Sequence, residues 1–180
     1  MTDAGDFKIS IIMKKIYLFV LAAAATFISS CEGPAGPAGP AGFSAESVVY
    51  ETAPIDFGAP SFGMFFTFPT AALQSDHVLA YRLVGTDGGN DVWKLLPEQF
   101  FFDDGTFDFA YNYDFTRFDV NFFIEGQDLG TLPASATQNQ IFRVVIVPGY
   151  FANRQSVDYS DYNETIRSLG LEGKPVVKLK

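Results

Sequence analysis

The pattern that most limits how this chain can fold lies just past its midpoint. Phe107, Phe109, Tyr111, Tyr113 and Phe115 alternate with Asp108, Ala110, Asn112 and Asp114. A period of two scatters the rings around a helix but puts them all on one face of a strand. The segment therefore reads as a strand with one face in a core and the other in water. Another aromatic run precedes it, across Asp103-Asp104-Gly105-Thr106. Gln99 to Asp114 thus reads as a hairpin with the Asp-Gly pair at its turn. Phe118, Val120, Phe122 and Ile124 repeat the alternation in the next strand.

Similar punctuation runs through the rest of the domain. Ser47–Glu51 reads as a first strand. Gly63–Phe68 is a second, stopped by Pro69. Val78–Val84 is a third, with a Gly-rich turn at Thr86 to Asn90, and Val92–Leu96 is a fourth, ended by Pro97. Ile141–Val147 is continuously apolar, which fits a central strand ended by Pro148-Gly149. The tail changes period. Asp161 and Glu164 have capping-box spacing, Tyr162, Ile166 and Leu169 share a helical face, and Gly170 sits where a C-terminal cap belongs. A short helix over 161–169 follows, and 175–179 is a last strand. The expected fold is mainly β: an antiparallel β-sandwich over 46–180 with one short C-terminal helix.

Upstream, Lys14 and Lys15 precede an apolar run from Ile16 to Ile28. That run is too short to span a bilayer comfortably, which takes about 20 residues, and it suits a signal peptide. It ends in Ile28-Ser29-Ser30-Cys31, which resembles the lipobox of bacterial lipoproteins. The resemblance implies a diacylglycerol on the Cys31 thiol and cleavage of the Ser30–Cys31 bond. Met13 begins such a leader naturally, so 1–12 reads as a start-site extension and 13–30 as the signal peptide.

A lipidated N-terminus and tether occupy 31–45. Gly33-Pro34-Ala35, Gly36-Pro37-Ala38, Gly39-Pro40-Ala41 and then Gly42 follow the Gly-X-Y period of collagen. Three triplets contribute little cooperative stability, so an extended spacer is the reading, at about 3.1 Å per residue. A monomer is expected, with a collagen-like trimer as the alternative.

Composition narrows the partners. Twenty Phe and 48% hydrophobic residues argue against a disordered chain, and a net charge of −9 argues against nucleic acid. One Cys and one His leave no intrachain disulfide and no recognisable zinc site, so no cofactor is expected. His77, beside Asp76 before a strand, reads as a surface residue at a loop–strand junction, with no Gly-x-Ser-x-Gly elbow in the chain. Asp103, Asp104 and Asp108, or Asp87, Asn90 and Asp91, have oxygens suited to calcium, but turn chemistry is the favoured reading. Trp93, Tyr111, Tyr113, Tyr150, Tyr159 and Tyr162 invite a sugar-stacking platform. Core is the favoured role for most, with Tyr159 and Tyr162 expected to be exposed.

The whole pattern resembles a group of small bacterial envelope lipoproteins with a Cys-Glu-Gly-Pro-type tether. The segments that carry it are Val92-Trp93 with Leu96-Pro97, Phe142 to Gly149, and Asp161-Tyr162-Asn163-Glu164. The resemblance implies location: an anchor in the cell envelope, with the outer membrane the expected one and the leaflet left open. It implies no activity. Oxidoreductase-type names within the group find no support here, because the chain has neither a Gly-x-Gly-x-x-Gly after a strand nor a second cysteine. The expectation is a non-enzymatic binding or structural module with an unknown protein or glycan partner. An envelope glycan hydrolase using paired carboxylates is the alternative.

Overall fold

The computed structural model describes residues 46–151 and 157–179. The leader, the lipidation and cleavage positions Ser30 and Cys31, and the Gly-Pro-Ala tether lie outside the described residues.

The domain is a sandwich of two sheets. The first has the order β4-β3-β8-β1-β9, and the second β2-β7-β6-β5. The strands are β1 (Val48–Glu51), β2 (Gly63–Thr67), β3 (His77–Asp87), β4 (Asn90–Leu95), β5 (Glu98–Phe101), β6 (Phe107–Phe115), β7 (Asp119–Gly126), β8 (Phe142–Val147) and β9 (Val177–Lys178). All pairings are antiparallel except β1 with β9. The expected β-sandwich is the observed fold.

Between the sheets lies the larger core. Phe109, Tyr111, Val120, Phe122 and Ile124 enter from the second sheet, and Tyr50, Val78, Ala80, Phe142, Val144 and Ile146 from the first. Phe122 stacks on Phe142 at 4.4 Å between centroids, joining the layers at their centre. Burying one such ring stabilises the fold by about 1.5–3 kcal/mol.

The first sheet also buries part of its other face. Val49, Tyr81, Trp93, Val145 and Val147 pack there beneath Leu169 and Leu171, which follow α2 (Tyr162–Ser168; α1 is a single turn at Ala134–Thr137). β8 is therefore covered on both sides, which explains why its sequence is continuously apolar rather than alternating. The Asp161 side chain caps α2 by accepting from the Glu164 N–H at 3.0 Å. Gly170 takes φ +65° just past the end.

Two of the hairpins, β3–β4 and β5–β6, follow their turn residues. Asp87 and Asn90 face each other across Gly88-Gly89, which have φ +54° and +83°, so the two-residue loop twists with its strands. In the β5–β6 turn, Asp104 accepts from the Thr106 N–H and hydroxyl, and Gly105 takes φ +85°.

Three local expectations are revised. Phe118 precedes β7 and is exposed; the strand starts at Asp119. Phe107 and Phe115 keep the alternation but sit at the ends of β6, where the sheet no longer covers them. The last strand shrinks to two residues and runs parallel to β1. Both α1 and a 3-10 turn at Leu129–Thr131 escape the periodicity, being too short to show one.

Candidate functional site

The β3–β4 hairpin and the start of α2 enclose a cleft of about 420 Å³ on the outer side of the first sheet. It is lined by Asp87, Asn90, Asp91, Val92, Trp93, Ser160, Asp161, Tyr162 and Asn163. Turn chemistry brings the hairpin side together, and the N-cap segment of α2 supplies the rest. Trp93 forms part of the wall and packs against Tyr162 at 5.7 Å; Tyr81 meets the same Tyr162 ring edge-on at 5.1 Å. Tyr159 and Tyr162 are half-buried rather than exposed, Tyr162 because its ring packs on Tyr81 and Trp93 of the first sheet.

Arg143 is buttressed beside this wall. Its guanidinium sits 4.1 Å from the Trp93 ring and 5.3 Å from that of Tyr162. Nε donates to Glu51 Oε2 at 2.7 Å and Nη1 to the Tyr162 hydroxyl at 2.9 Å, while Nη2 lies 3.9 Å from Asp91 Oδ2. Lys178 from β9 reaches the other oxygen of Glu51. Burial raises the Glu51 pKa, but the bonds from Lys178 and Arg143 outweigh it and hold the carboxyl below its usual range. Burial pushes the Tyr162 phenol up, so it stays a neutral acceptor for Arg143 at neutral pH.

Three carboxylates line the cleft, and two are engaged. Asp161 caps α2 and Asp91 lies toward Arg143. Among the described residues the Asp87 carboxylate has no hydrogen-bond partner. No group of three or more His, Cys, Asp or Glu has metal-site geometry among the described residues. Asp104 serves its own turn, and the bonds from Thr106 hold its carboxyl below the usual range.

His77 is exposed at the first residue of β3, the loop–strand junction expected of it. A smaller depression of about 320 Å³ beside it is lined by Tyr113, Phe115, Val147 and Tyr159, without a hydroxyl–carboxylate pair. Tyr111 and Tyr113 belong to the core, as expected, each with its hydroxyl on a backbone carbonyl: Ala136 at 2.6 Å and Val78 at 2.9 Å. Tyr150 is half exposed.

Sequence reading singled out Trp93 and Tyr162 but missed Arg143, Glu51 and a second network around Arg82 and Glu98. One signal was present. An arginine inside the apolar run from Ile141 to Val147 implies a partner, because a charge is seldom buried unpaired. The identity of that partner lies 92 positions away, at Glu51.

Comparison of the chain with protein-family models, curated proteins and solved structures returned no match.

Proposed function

We propose that this chain is an envelope lipoprotein held by a lipid on Cys31, and that its sandwich domain is a non-enzymatic binding module. The cleft between the β3–β4 hairpin and α2 is the binding site, and the ligand class is a polyhydroxylated glycan. The observation that carries this reading is the cleft wall. Carboxylate and amide acceptors from Asp87, Asn90 and Asn163 stand beside the Trp93–Tyr162 pair. Hydroxyl donors suit those acceptors, and a sugar's C–H face suits an aromatic edge. Binding is favoured over hydrolysis because Asp161 and Asp91 are engaged in structural contacts, leaving one uncommitted carboxylate where acid–base chemistry on a glycosidic bond needs two.

Trp93 is the only tryptophan, so its fluorescence reports on the cleft alone. The full chain in detergent, titrated with chitotetraose and with neutral gluco- and manno-oligosaccharides, should give a saturable emission change with at least one sugar. Asp87→Ala should weaken that binding about tenfold, the worth of one good hydrogen bond to a charged group. Emission indifferent to every sugar would remove the cleft from consideration. The anchor has its own test: a fatty-acid analogue should label the wild-type chain and not Cys31→Ser, and label retained in the variant refutes lipidation at that residue.

A further inference from the structure

We infer that β2 is a self-association edge, across which two copies of this chain join their four-stranded sheets into one continuous eight-stranded sheet. This surface belongs to the sheet that does not carry the cleft, so it stands or falls independently of the glycan reading.

β2 lies at the edge of the second sheet, hydrogen-bonded only to β7. The Ile124 N–H donates to Phe62 O, and the Phe68 N–H to Phe118 O. In an antiparallel pair the inward-bonding residues alternate, so Phe62, Met64, Phe66 and Phe68 turn their backbone groups toward β7. Gly63, Phe65 and Thr67 turn theirs outward, where no described backbone meets them. Side chains on this edge are uncovered as well: Phe65 is 69% exposed and Met64 40%.

Two features select a second copy as the occupant. The first is charge. The other edge strands carry or adjoin exposed charged residues: Asp91 and Lys94 on β4, Lys178 on β9, and Asp103 and Asp104 just past β5, whose own Glu98 is buried against Arg82. β2 has none, and no charged residue occurs anywhere from 57 to 75. In a chain of net charge −9, this is the edge along which two copies approach without like charges facing each other. The second feature is self-complementarity. An antiparallel pair of Gly63-Met64-Phe65-Phe66-Thr67 segments centred on Phe65 sets Phe65 opposite Phe65, Met64 opposite Phe66, and Gly63 opposite Thr67. Apolar residues then meet on both faces, and the outward backbone groups form about six inter-chain hydrogen bonds. Both ends of the edge are bounded, by Phe62 at φ +45° and by Pro69, which limits the pairing to this window.

The register can be tested by disulfide trapping of the full chain in membranes. In this pairing the two Phe65 Cα atoms lie about 5.5 Å apart, within the roughly 4.4–6.8 Å that a disulfide spans. Phe65→Cys should yield at least about fivefold more covalent dimer than the wild type, which has no thiol at position 65 and sets the background. Thr67→Cys alone should stay at background, because its opposite residue is Gly63; mixing Thr67→Cys with Gly63→Cys chains should restore the cross-link. In detergent sedimentation, Phe65→Lys should halve the protein mass of the wild-type particle. No gain at position 65, equal trapping at 65 and 67, adducts to a different protein, or a Phe65→Lys chain that sediments like the wild type would each overturn the inference.

Discussion

Arg82 on β3 donates from Nε to Glu98 Oε2 on β5 at 2.7 Å, a charged bond that crosses from one sheet of the sandwich to the other. Glu98 is only 5% exposed. Its second oxygen meets Lys94 at 3.1 Å, and Arg82 Nη1 donates to Gln140 Oε1 at 3.0 Å. The guanidinium also lies 4.4 Å from the Tyr111 ring. This polar network takes a place at the rim of the core that hydrophobic contacts fill elsewhere.

Removing one member leaves the other charge buried without its partner, which is far costlier than losing both. Glu98→Ala should therefore destabilise the domain by about 3–5 kcal/mol, with Arg82→Ala costing less because Lys94 still meets Glu98. The double variant Arg82→Met/Glu98→Leu should recover much of that loss. Urea unfolding of the four proteins checks this, and a strictly additive double variant would contradict it.

The alkaline limit of stability should depend on Tyr81. Its ring is fully buried, and its hydroxyl donates to Tyr159 O at 2.8 Å and lies 3.1 Å from Thr165 Oγ1. Burial pushes this phenol up to about 12 from an ordinary value of 10.0. Because the folded pKa is the higher one, the stabilisation is complete below pH 10 and is lost as pH rises toward 12. Tyr81→Phe should lower stability at neutral pH by about 1 kcal/mol, the worth of a lost hydrogen bond, and flatten the decline above pH 10. Thermal melts across that range would show equal slopes for the two proteins if Tyr81 were not responsible.

Gly149 stands where the chain leaves β8 and crosses close to Ser75. A methyl group there would overlap the Ser75 carbonyl oxygen and approach its Cβ to 2.9 Å. Backbone is the obstacle, so relief requires moving the loop that leads into β3. Gly149→Ala should cost about 1–3 kcal/mol by overpacking. Gly58→Ala, where a methyl meets nothing within 4 Å, should be close to neutral in the same assay.

Local patterns carried most of this fold. The ring alternation from Phe107 to Phe115 identified β6, unbroken apolarity from Ile141 to Val147 identified the doubly covered β8, and Asp161 with Glu164 identified the start of α2. Each signal depends on residues a few positions apart. What the sequence hid depends on residues brought together only by folding. Arg82 and Glu98 are 16 positions apart, on different sheets, and nothing local marks a charged side chain as inward-facing. The cleft was legible in parts. Asp87 and Asn90 were read as turn residues and Tyr162 as a helix-face residue, but only the packing of α2 on the first sheet sets them around one cavity. The half-burial of Tyr162 escaped for the same reason, since its ring is covered by Tyr81 and Trp93 of the first sheet.

The position of β8 also has a consequence for the order in which the domain can be built. β1 and β3 are not paired with each other; both pair with β8, and Glu51 waits 92 positions for Arg143. A chain delivered N-terminus first, whether by the ribosome or through a translocation pore, can close the β3–β4 and β5–β6–β7 hairpins early. It cannot close the first sheet until Val147 has emerged. Contacts this distant in sequence slow folding, because loop entropy is lost before pairing compensates for it. The late arrival of one strand thus places the long-range pairing of the first sheet after its local hairpins.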